Sequence, residues 1–123
     1  MEKWTQKHCK PCEGGVKPFT LEQARECLCS LEGWSLNQNG GLIQKEYRFK
    51  NFKEVIRFFN QIAQIAEEEN HHPDLRIGYS RVGVELSTHS VKGLSENDFI
   101  LAAKFDAAFK PKSLPVGGQG DVR

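Results

Sequence analysis

Apolar residues recur along this chain at two different spacings, and the spacing switches between them several times. Leu21, Ala24, Leu28 and Leu31 follow Thr20 at intervals of three and four, which predicts a helix capped by Thr20 and stopped by Gly33. In WSLNQNGGLIQKEYRF the period drops to two. Leu42, Gln44, Glu46 and Arg48 alternate with Ile43, Lys45, Tyr47 and Phe49, and NQNGG reads as the turn of a hairpin. FKEVIRFFNQIAQIAEEEN then gives the strongest helical signal. Phe52, Val55, Ile56, Phe59, Ile62, Ala63 and Ala66 form one apolar face, with Phe58 and Ile65 as a second, narrower stripe beside it. A helix lying on a sheet needs one face, so the second stripe points to another helix, such as one from a second subunit. Pro73 is expected to end this helix. LRIGYS is a short strand, and in RVGVELSTH the residues Val82, Val84 and Leu86 face inward, alternating with Gly83, Glu85 and Ser87. Ser95 as N-cap and Asp98 three residues on form a capping box for a last helix, whose apolar face is Phe99, Ala102, Ala103 and Phe109.

The order is helix, two strands, helix, two strands, helix. Hairpins alternating with helices predict a single α+β domain, a four-stranded antiparallel sheet with the helices packed on one face. Residues 1–18 read as an extended leader with a CxxC motif, residues 19–110 as the folded domain and residues 111–123 as a flexible Gly/Pro-rich tail.

Composition narrows the function classes. A chain of 123 residues, 38% apolar, supplies one core. Seventeen basic against sixteen acidic residues leave a charge of +1, which is no footprint for direct nucleic-acid binding. No long apolar run predicts a membrane span and no apolar h-region predicts a secretory signal. The expected compartment is the cytoplasm, or an organelle if a transit peptide has been removed.

Four cysteines, Cys9, Cys12, Cys27 and Cys29, are expected to be reduced thiols. Cys9 and Cys12 beside His8 resemble half of a zinc site. Cys27 and Cys29 make a poor other half, because on a helix roughly 200° separates their directions. A metal is therefore not expected there.

Three of the four histidines, His71, His72 and His89, fall between Asn70 and Ser90. Glu67, Glu68 and Glu69 precede them at the C-terminal end of a helix, where carboxylates oppose the helix dipole. They form either a solvated helix end or a cluster that helps to keep His71 and His72 cationic, with Glu67 as a candidate tuning residue. Pro73 holds the His pair extended, so the neighbours point to opposite sides and do not chelate one ion. No HxxxH or HExxH spacing replaces them. Three imidazoles without chelating spacing favour acid–base chemistry on a polar substrate, with no metal and no cofactor.

Glu67, His71-His72-Pro73, Tyr79, Leu86-Ser87-Thr88-His89, Gly93-Leu94-Ser95 and Asp98 together resemble the signature of the pterin-4a-carbinolamine dehydratases. The resemblance runs from about Thr20 to Phe109 and includes Gly33-Trp34 and the RFKNF segment. It implies dehydration of 4a-hydroxytetrahydropterin to quinonoid dihydropterin and water in tetrahydrobiopterin recycling, without metal or cofactor. By position, His71 and His89 become the acid–base pair and His72 the residue that binds and orients the pterin. Pro73 and Asp98 belong to the same signature, and the capping box gives Asp98 a structural role. Leu75 departs from the pattern, since many members carry Trp there, which bears on substrate affinity. The resemblance also implies a homodimer or homotetramer, in line with open sheet edges and the extra apolar stripe. The alternative function is a non-catalytic one on the same fold: a dimerisation cofactor, transcriptional coactivator or assembly factor.

Overall fold

The computed structural model describes residues 2–10 and 17–109. Their elements are helix α1 (Glu2–Gln6), α2 (Leu21–Leu28), strands β1 (Ser35–Leu36) and β2 (Ile43–Arg48), helix α3 (Phe52–Glu69), β3 (Asp74–Ile77), β4 (Arg81–Leu86), a 3₁₀ turn (His89–Val91) and α4 (Glu96–Phe109). The α+β order expected from the periodicity is present, with α1 added in front. Residues 2–10 are thus a helical turn and a docked segment instead of an extended leader, while Cys12 lies outside the described residues. The expected tail, 111–123, also lies outside them.

Local chemistry sets the helix ends. Thr20 and Gln23 form a reciprocal capping box, Gln23 N–H donating to Thr20 Oγ1 at 3.1 Å and Thr20 N–H to Gln23 Oε1 at 2.8 Å. The helix ends at Leu28, earlier than the Gly33 stop suggested, and Leu31 is buried from the turns that follow. Asn51 caps α3 by accepting from Glu54 N–H at 3.0 Å. At its other end α3 stops on Asn70, in the left-handed conformation (φ 54°), before Pro73 is reached. Asn tolerates that conformation better than most residues.

The sheet order is β1-β2-β4-β3, antiparallel throughout. Pairing of Ile43 with Leu86 and of Tyr47 with Val82 puts both central strands' apolar residues on one face, where all four are buried. The helices cover that face. α4 contacts both α3 and α1, and Asn97–Ala103 are buried all round it. A helix so enclosed needs no polar stripe, and ILAA at its centre supplies none.

The long helix reverses one expectation. Val55, Phe58, Ile62 and Ala66 are its buried face, with Ile65 packed beside them. Phe58 is 2% exposed and sits 4.7 Å from the Tyr47 ring, 5.2 Å from Phe49 and 5.8 Å from Phe109. The expected face is split: Val55, Ile62 and Ala66 turn inward together with Phe58, whereas Phe52 and Ile56 are exposed and Phe59 and Ala63 are half-buried. Helical spacing supplies apolar residues on either side of Val55, Ile62 and Ala66, and the sheet's aromatic cluster decides that Phe58 turns inward in place of Phe59.

At the far end of α4, Asp106 joins the helix to the first hairpin. It accepts from Tyr47 Oη at 2.5 Å, Lys45 Nζ at 2.9 Å and Trp34 Nε1 at 3.2 Å. Burial pushes the Tyr47 phenol well above its usual range, and the Asp106 charge and hydrogen bond add to the shift.

Candidate active site

The histidines arrive from two elements. Beyond Asn70 the chain turns, His71 N–H bonding back to Ala66 O at 3.2 Å, and the His71 ring is carried to the first turn of α4. There its Nε2 lies 2.7 Å from Oδ1 of Asp98, a residue with no exposed surface. Oδ2 of the same carboxyl accepts from Thr88 Oγ1 at 2.8 Å and from Ser95 N–H at 3.0 Å. The Asp98 carboxylate acts as acceptor throughout, so His71 Nε2–H is the donor to Oδ1 and Nδ1 is left for other chemistry. The single hydrogen of Thr88 goes to Asp98, so the Ser95 hydroxyl donates to Thr88 across 2.8 Å. Ser95 Oγ in turn accepts from Asn97 N–H at 3.2 Å. Asp98 therefore both caps α4 and fixes the His71 ring, a wider role than the capping box assigned to it.

His72 points the other way, as extended backbone requires. Its Nε2 is 2.7 Å from Glu67 Oε2, in an exposed pair. The three glutamates diverge instead of acting together on the His pair. Glu67 meets His72, Glu68 accepts from Gln64 Nε2 at 3.1 Å, and Glu69 turns inward to the N-terminal segment. His89 is exposed at the start of the 3₁₀ turn, and its side chain has no hydrogen-bond partner among the described residues. The loop that holds it is closed by Thr88 N–H to Gly93 O at 2.7 Å. Gly93 is required there, because a Cβ would lie 2.7 Å from Pro18 Cβ. The fold thus links His71 directly to Asp98 and, through Asp98, to Thr88, the residue before His89. It does not hydrogen-bond the three histidines to one another.

Other signature residues take different places. Tyr79 is exposed and stacks on Phe52 at 6.5 Å. Leu75 packs against the core from the edge strand and borders a groove of about 510 Å³ on the helix-free face. Gln44, Glu46, Asp74, Arg76, Gly83 and Glu85 are among its other lining residues, and none of the three histidines is.

Glu69 was legible only as one acidic residue among three. Its side chain is 7% exposed, holding His8 Nδ1 at 2.8 Å and Cys9 N–H at 2.7 Å. Burial alone raises its pKa, but the Cys9 and His8 hydrogen bonds and the Lys104 charge outweigh it and keep the carboxyl below the usual range. Burial pushes the Cys9 thiol up to about 12, and the Glu69 and Asp98 charges push the same way. A thiol held protonated is a poor metal ligand. Among the described residues no group of three or more His, Cys, Asp or Glu side chains is placed to hold a metal. Asn97 carried no signal of its own and Thr88 only its place in the family signature, since the partners that explain them lie on other elements.

The family model described as pterin 4 alpha carbinolamine dehydratase matches residues 17–108, spanning every element that carries the histidines and Asp98. The chain belongs to the pterin 4 alpha carbinolamine dehydratase family. Two relatives, from Halorhodospira halophila and Nitrosomonas europaea, carry the name "Putative pterin-4-alpha-carbinolamine dehydratase". They are 45% and 49% identical to this family member, over 84% and 86% of its chain and 94% and 93% of their own. A crystal structure described as a transcriptional coactivator/pterin dehydratase from Brucella melitensis superposes with a TM-score of 0.72 at 35% identity, covering 75% of this chain and 98% of that one. A pterin dehydratase-like protein identified as a RuBisCO assembly factor in the alpha-carboxysome shares the fold, with a TM-score of 0.55 at 22% identity over 63% of this chain and 89% of that one. Among the described residues of this dehydratase-family chain, no helix is long and apolar enough to cross a membrane.

Proposed function

We propose that this chain dehydrates a 4a-hydroxytetrahydropterin to the quinonoid dihydropterin and water, in tetrahydrobiopterin recycling. The observation that carries the reading is the His71–Asp98 pair. An imidazole 12% exposed at its side chain, anchored through Nε2 at 2.7 Å to a fully buried carboxylate, offers Nδ1 alone to a substrate. In the reaction the C4a–O bond breaks, the N5 proton is lost and a C4a=N5 double bond forms. One acid protonates the departing hydroxyl and one base takes the N5 proton, and His71 and His89 share these two tasks. His72, paired with Glu67, binds and orients the pterin, and Pro73 keeps the two neighbouring rings on opposite sides. None of these steps calls on a metal or a cofactor.

The same reading includes a homodimer or homotetramer in the cytoplasm. Phe52, Ile56 and Phe59 on the outward stripe of α3 support self-association, because an exposed apolar row on a helix is a docking surface. That stripe also supports the second reading, a coactivator or assembly role, which needs the surface but not the histidines.

The test is a dehydration assay on freshly generated carbinolamine. His71→Ala and His89→Ala each lower the catalysed rate by about 10- to 1000-fold in folded protein, and His72→Ala acts mainly on KM. Wild-type rates in both His71→Ala and His89→Ala refute the acid–base assignment, and a wild-type protein that does not accelerate the dehydration leaves the binding role as the better account.

A further inference from the structure

His71 and Asp98 belong to different elements, one just past the end of α3 and the other in the first turn of α4. The distance between them depends on how firmly those two helix ends are held together. The N-terminal segment does this at adjacent residues. Cys9 N–H donates to Glu69 Oε1 at 2.7 Å, on the α3 side. Lys10 N–H donates to Asn97 Oδ1 at 3.0 Å, and Asn97 Nδ2 returns a bond to Lys10 O at 2.7 Å, on the α4 side. Glu69 is two residues before His71, and Asn97 immediately precedes Asp98.

Other contacts fix the segment in place. Trp4 packs on Phe99 with ring centroids 6.0 Å apart, and Lys7 pairs with Glu96. Lys104 donates to Thr5 O at 3.0 Å and reaches Glu69 at 3.5 Å. Glu69 and Asn97 are both largely buried, and their polar atoms face the backbone of residues 9 and 10 rather than solvent. Residues 2–10 lie outside the span matched by the family model.

We infer that Glu69 and Asn97 are positioning residues for the His71–Asp98 pair, acting through a clamp that the backbone of Cys9 and Lys10 closes between α3 and α4. The inference rests on the acid–base role proposed for His71. Opening the clamp lets the two helix ends separate, and a displacement of about 1 Å at an acid–base pair is worth up to roughly 100-fold in rate.

The experiment uses the full chain carrying Asn97→Ala, with Glu69→Ala as the second variant should the first not fold. The readouts are kcat, KM and the proton resonance of His71 Nε2–H in the NMR spectrum. Asn97→Ala is expected to lower kcat about 10-fold or more with KM nearly unchanged, and to shift or broaden that resonance. Asp106→Ala, in the last turn of α4, serves as a control for lost stability at a distance and keeps the wild-type resonance and kcat. If both clamp variants keep a wild-type kcat and resonance, or if Asp106→Ala disturbs them equally, the inference is overturned. If the wild-type protein does not dehydrate the carbinolamine, the proposed function fails by itself, and the resonance alone decides whether the clamp holds His71 to Asp98.

Discussion

Asp98→Asn tests the centre of the site with almost no change in shape. The wild-type carboxylate accepts three hydrogen bonds: from His71 Nε2 at 2.7 Å, Thr88 Oγ1 at 2.8 Å and Ser95 N–H at 3.0 Å. An amide that keeps its oxygen toward Thr88 and Ser95 must turn its NH₂ toward His71, so a donor faces a donor. The ring then either loses this bond or moves its proton from Nε2 to Nδ1, and in both cases Nδ1 is wrongly prepared for proton transfer. A positioned acid or base contributes about 10²- to 10⁴-fold, and that is the expected fall in kcat. Stability should fall less. The two retained bonds drop from the charged range of about 1.5–3 kcal/mol toward the neutral range of about 0.5–1.5 kcal/mol. Removing a fully buried charge recovers part of that difference, leaving a net loss of about 1–3 kcal/mol. Initial dehydration rates, set beside urea denaturation of the same samples, separate the two effects. A kcat within about threefold of wild type, in a variant destabilised as expected, refutes the role given to Asp98.

Asp106→Ala strands the Lys45 ammonium, the Tyr47 hydroxyl and the Trp34 N–H together, and should cost about 2–4 kcal/mol in chemical denaturation. Phe58→Ala removes a ring from the aromatic cluster and should cost about 3–5 kcal/mol. Ile56→Glu, at a position 36% exposed, should change stability by no more than about 0.5 kcal/mol and instead shift light scattering toward smaller species. The Glu69 carboxyl is held below its usual range in the folded protein, so its contribution is present at neutral pH and is lost as pH falls through its folded value. His8, Lys104 and the Cys9 amide face it, so amide exchange at Cys9 should accelerate on acidification, and Glu69→Gln should weaken that response.

The sequence by itself determined the α+β class, because its apolar spacing changes between periods of two and three to four and each change falls at a turn or a cap. Thr20 and Ser95 mark helix starts through local hydrogen bonds, and such short-range chemistry is readable from neighbouring residues. It also brought His71, His72 and His89 into view and set the His pair back to back, since Pro73 extends the backbone that carries them. Only the tertiary structure decided where the core face of α3 is centred. Val55, Ile62 and Ala66 can be joined by Phe59 on one side or by Phe58 on the other, until Tyr47, Phe49 and Phe109 supply a surface for Phe58. The partner of His71 was hidden for a similar reason. Asp98 is 27 residues away and its capping role already explained it, so the second hydrogen bond had no local signature. The N-terminal segment was the least legible part. Its backbone amides carry the contacts to Glu69 and Asn97, and a backbone N–H is the same at every residue, so the side-chain sequence does not announce where it will dock.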